Sequence, residues 1–72
     1  MDITERKMKL GQRIRSEREA QDISLRRFAL MIGVGHTYLV DVENGRRNIG
    51  IENLCKIADG LGIKVSELTN EL

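Results

Sequence analysis

The residues with the most chemical capacity are two adjacent arginine pairs, Arg26-Arg27 and Arg46-Arg47. Between them runs a polar stretch holding His36, Thr37, Tyr38, Asp41 and Asn44. Guanidinium groups present donors in a fixed fork that matches phosphate oxygens, so paired arginines suit a polyanionic ligand. Short donors and acceptors such as His, Thr and Asp suit the hydrogen-bonding edges of a planar partner. Other chemistries are poorly supplied. One histidine and one cysteine cannot complete a four-ligand zinc site, and the lone Cys55 cannot close an internal disulfide. No nucleophile–base pair, carboxylate dyad or phosphate-cradling glycine loop is present, so neither an enzyme nor a cofactor is expected. Cys55 flanks an apolar arc and reads as an inert packing thiol.

The frame for these residues is small. The sequence has 72 residues, 40% hydrophobic and 32% charged, which reads as one globular domain spanning 1–72. It is too apolar for a disordered segment, and no run approaches the roughly 18 apolar residues of a membrane span. The start, Met1-Asp2-Ile3-Thr4-Glu5, lacks the order of a signal peptide. With a single cysteine, a reducing cytoplasmic setting is expected. Net charge is only +1, but it is unevenly spread. Residues 1–47 hold ten basic and seven acidic residues, +3, while 48–72 hold two and four, −2. The basic side lies in the first two thirds.

Apolar spacing is helical throughout, and no strand alternation occurs. A first helix is expected from Lys7 to Gln21, with Leu10, Ile14, Glu17, Arg18 and Gln21 inward. Asp22 marks a turn, since Asp tolerates left-handed backbone. Ser24 is a good N-cap for a second helix over Leu25–Ile32, whose Leu25, Phe28, Ala29 and Ile32 form a core stripe. Gly33 stops it, and only Val34 and Gly35 separate it from a third helix over His36–Asn44, closed by Gly45. Two short helices joined by a glycine turn are the helix-turn-helix signature. A fourth helix over Ile51–Leu61 places Ile51, Leu54, Ile57, Ala58 and Leu61 on one arc. A fifth over Val65–Leu72 offers Val65, Leu68 and Leu72. The expected fold class is all-α, a compact five-helix bundle.

On a helical wheel the third helix divides cleanly. Leu39, Val42 and Glu43 face one side; Thr37, Val40, Asp41 and Asn44 face the other, with His36 at the edge. The second helix of a helix-turn-helix enters the DNA major groove with its N-terminal residues at base edges. His36 and Thr37 can bond to bases, Val40 can meet a thymine methyl, and Asp41 can accept from cytosine N4. Arg46 and Arg47 in the following loop, and Arg26 and Arg27 on the exposed side of the second helix, are placed to hold phosphate. The open N–H groups near Ser24 add an anion site. Glu43 and Arg18 are odd charges on packing faces, which suggests a partly buried ion pair between the first and third helices.

Phe28-Ala29-x-x-x-Gly33-Val34, Tyr38-Leu39-x-x-Val42-Glu43-Asn44-Gly45 and Leu54-x-x-Ile57-Ala58-x-x-Leu61-Gly62-Ile63 resemble the phage repressor and Cro-type helix-turn-helix family. The likeness covers about residues 7 to 70. It implies a five-helix domain of the lambda-repressor type that binds operator DNA as a two-fold dimer. It also implies the Arg18–Glu43 pair, base-reading roles for His36, Thr37 and Asp41, and phosphate contacts that include Tyr38 and Asn44. Thr37-Tyr38 with Arg46-Arg47-Asn48 is similar to the controller proteins of restriction–modification systems. Leu25 stands where relatives usually carry Gln, Gly35 where a hydroxyl residue caps the third helix, and Glu17 at a commonly apolar place. Ile49 stands where proline is usual, and Lys64 where a capping side chain is.

Two readings follow. The first is a sequence-specific regulator that binds double-stranded DNA as a homodimer near a palindrome, with Ile63, Val65, Leu68 and Leu72 as dimer-surface candidates. Those four are equally readable as intramolecular core. The second is a protein-interaction module on the same fold, such as an antitoxin or phage accessory protein, which the modest charge and the absence of Gln at position 25 favour. No small-molecule ligand, metal or membrane partner is expected.

Overall fold

A computed structural model describes residues 1–72. Five helices follow in order: α1 (Ile3–Ala20), α2 (Leu25–Ile32), α3 (His36–Glu43), α4 (Ile51–Leu61) and α5 (Val65–Thr69). There are no strands. Ile14 from α1, Phe28 from α2, Leu39 from α3 and Ile57 from α4 are fully buried, so each long element contributes one large side chain to a shared centre. Ala29, Val42, Ala58, Leu61 and Leu68 complete the core. No helix is long and apolar enough to cross a membrane.

Several boundaries differ from the sequence expectation, each for a local reason. α1 begins at Ile3 rather than Lys7, because Asp2 caps it: a carboxylate oxygen accepts the Glu5 N–H at 2.8 Å. That Asp, with an acidic residue in the first turn, is a start signal placed ahead of the apolar repeat. Asn44 terminates α3 instead of extending it, and α5 stops at Thr69 rather than Leu72. The α5 start has no hydroxyl cap. The Glu67 carboxylate accepts the Lys64 N–H at 2.7 Å, half of a capping box, since a lysine side chain has nothing to accept with.

The faces differ in places too. Glu17 is not a core residue; it is half-buried and accepts one hydrogen bond from Arg13 Nε at 3.1 Å, with Nη2 of the same ion pair also at 3.1 Å. Gln21 is exposed, yet its amide donates to the Leu61 carbonyl at 2.8 Å and ties the ends of α1 and α4 together. Ile51 leaves the inner arc and is 71% exposed. Cys55 is exposed as well, so it is not a packing thiol. The α4 arc is effectively narrower than the wheel suggests, and its first turn projects into solvent.

The turn between α2 and α3 needs a left-handed residue, and Gly33 supplies it with φ +71°. The Val34 N–H then reaches back to the Ala29 carbonyl at 3.1 Å, closing α2. Asp22, at the α1–α2 corner, takes the same backbone region with φ +55°. Gly11 has a different job. A Cβ there would lie 2.5 Å from the carbonyl oxygens of both Val42 and Glu43, so α1 and α3 meet backbone to backbone. Gly11→Ala is therefore expected to cost about 1–3 kcal/mol through overpacking. In a domain this small, that is a fall in Tm of roughly 5–20 °C by thermal unfolding.

Candidate nucleic-acid interface

The α2–turn–α3 unit sets the site. Leu39 and Val42 bury the inner side of α3, and Glu43 buries with them, which leaves the opposite edge outward. On that edge His36 and Thr37 are exposed, and Val40 and Asp41 are half-buried. Gly35 precedes the helix and provides no side-chain cap, so the first N–H groups of α3 stay open beside His36 and Thr37.

Behind that edge sits the ion pair. The Arg18 guanidinium donates from Nε to Glu43 Oε2 at 2.8 Å and from Nη2 to Oε1 at 3.0 Å, a bidentate arrangement. Its Nη1 donates to the Ile23 carbonyl at 2.7 Å. Side-chain exposure is 8% for Arg18 and 4% for Glu43, so the pair lies inside the protein. The hydrogen bonds Arg18 donates to the Glu43 carboxylate hold its pKa above the usual arginine value, and the cation persists at any working pH. Three elements are pinned at one guanidinium: α1, the α1–α2 corner and α3.

Around the edge stand the cations. Arg26 and Arg27 are exposed on α2, and Ser24 caps that helix by accepting the Arg27 N–H at 3.1 Å. Arg46 and Arg47 are exposed in the loop after α3. Two further residues of the polar run have partners inside the chain. The Asn44 amide donates to the Val40 carbonyl at 3.0 Å. The Tyr38 hydroxyl, half-buried, accepts from the Asn53 amide at 3.0 Å and keeps its own proton to donate outward. Asn53 carried no mark in the sequence, since its role exists only because α4 passes beside Tyr38.

The dimer candidates separate. Leu68 is 2% exposed and belongs to the core, because α5 packs its inner face on α1 and α4. It has no surface left to give a partner. Ile63 and Val65 also pack on the core but remain half-buried, as does Leu72.

Residues 14–68 match the helix-turn-helix family model. The chain is 40% identical over 67 residues to the control protein C.MunI of a Mycoplasma species, covering 92% of this chain and 90% of the relative. It is 32% identical over 59 residues to the control protein C.BamHI of Bacillus amyloliquefaciens, covering 81% and 73%. Among solved structures it is similar to the restriction–modification controller protein C.AhdI from Aeromonas hydrophila. That likeness has a TM-score of 0.82 at 38% identity, covering 85% of this chain and 92% of the other.

Proposed function

The chain belongs to the helix-turn-helix family of DNA-binding transcription regulators, and on that premise we propose that it binds a near-palindromic operator as a homodimer. In this reading α3 enters the major groove, and His36, Thr37, Val40 and Asp41 meet base edges. Ser24, Arg26, Arg27, Tyr38, Asn44, Arg46 and Arg47 hold the flanking phosphates. Residues 1–72 act as one DNA-binding domain. The observation that carries this is the outward edge of α3, open at its N-terminal end, with exposed arginine pairs on α2 before it and in the loop after it. The similarity to restriction–modification controller proteins supports a regulatory role of that type.

Two reading helices of a dimer must sit about 34 Å apart to meet successive major grooves. This chain is 31 Å in its longest dimension, so two copies side by side can set that separation. Ile63, Val65 and Leu72 remain as candidates for the contact between them.

Selecting bound duplexes from a random pool tests the whole reading, because the recovered sequence reports site, symmetry and half-site spacing together. A motif without two-fold symmetry would remove the dimer, and no enrichment would remove the operator. Point variants divide the roles. Thr37→Ala is expected to cost about 1–3 kcal/mol on the operator and to relax preference at one or two positions. Arg46→Ala is expected to weaken binding to operator and random duplexes both, and to flatten the logarithmic salt slope by about one. The reverse pattern in competition binding would exchange the two assignments.

A further inference from the structure

The arginine loop is not free. Asp41 Oδ1 lies 4.0 Å from Arg46 Nη1, and Asp41 Oδ2 lies 3.6 Å from Arg47 Nε. The Arg46 N–H also donates to the Asp41 carbonyl at 2.8 Å, so the loop folds back over the last turn of α3. Both guanidinium groups are thereby kept within reach of one carboxylate. From its other side, the Arg47 guanidinium sits over the Tyr38 ring, 5.2 Å from its centroid. That ring is itself tethered through its hydroxyl to Asn53.

Resting on the operator-binding reading, we infer that Asp41 determines specificity in a second way, by competing with DNA phosphate for Arg46 and Arg47. Both ion pairs are long, and the Arg46 and Arg47 side chains are 70% and 49% exposed, so each is weak and displaceable. Together they reduce the local charge from +2 to +1. On a duplex whose bases offer Asp41 no donor, moving the arginines to phosphate strands the carboxylate against a polyanion. On a duplex presenting an amine such as cytosine N4, the carboxylate gains a donor as the arginines leave it. One base contact is converted into a change in backbone grip.

Asp41→Asn removes the charge and keeps the shape. Affinities for a random-sequence duplex and for the selected operator are measured at low salt, for the wild type and for this variant. The same pair is then measured in an Arg46→Gln/Arg47→Gln background, where Arg26 and Arg27 still supply phosphate contacts. In the wild-type background, Asp41→Asn is expected to raise random-duplex affinity roughly 3- to 10-fold. Operator affinity does not share that gain, so discrimination shrinks. In the arginine-free background the gain disappears. Unchanged or weaker random-duplex binding overturns the inference, and so does a gain that persists without the two arginines. A wild-type chain that binds no duplex at low salt overturns the operator reading as well, whereas the other outcomes overturn this inference alone.

Discussion

Arg18→Met is expected to lower folding stability by about 3–5 kcal/mol, the range for removing one partner of a buried ion pair. The guanidinium makes two bonds to Glu43 and one to the Ile23 carbonyl, and all three are lost together. What remains is a carboxylate at 4% side-chain exposure without its bidentate partner, and its desolvation is no longer offset by that pair. At this chain length the loss corresponds to a drop in Tm on the order of 20 °C. Glu43→Gln keeps the shape and one of the two acceptor oxygens, so one bond from Arg18 survives and the loss is expected to be smaller. The double variant should then be much more stable than the sum of the single losses predicts. Thermal unfolding of all four proteins in a double-mutant cycle checks this. Strict additivity would mean that the pair contributes no coupling between α1 and α3.

Duplex affinity is expected to fall about 10³–10⁵-fold between 50 and 200 mM salt if a dimer neutralises roughly six to ten phosphates. The count has a structural basis. Each chain exposes Arg26 and Arg27 on α2 and Arg46 and Arg47 after α3, and a dimer doubles that set. Titrations of one operator duplex at several ionic strengths give the slope directly. A flat response would turn the reading toward a protein-interaction module, in which the same exposed edge meets a partner that is not a polyanion.

Much of this was readable from residue order, because the strongest signals were local. Ser24, the Leu25–Ile32 stripe and Gly33 define α2 and its turn within ten residues. The Arg18–Glu43 contact was also legible, since a charge at a packing position on two different helices demands a partner. Chemistry that depends on what passes alongside was not legible. Gly11 stood in the middle of a helix, where it costs about 1 kcal/mol against Ala, and only the approach of the α3 backbone explains it. The Tyr38–Asn53 bond and the Asp41 contacts to the arginine loop required the fold. Leu68 and Ile51 show the limit of a wheel. It ranks faces but does not say how far a neighbouring helix extends to cover them.

The seat and the edge of α3 use different side chains. Leu39, Val42 and Glu43 hold the helix, Gly11 fixes how near α1 comes, and none of these belongs to the outward set of His36, Thr37, Val40 and Asp41. If those four meet base edges as proposed, lineages built on this scaffold are at liberty to exchange one target for another by drifting at them, while the mounting beneath is inherited intact.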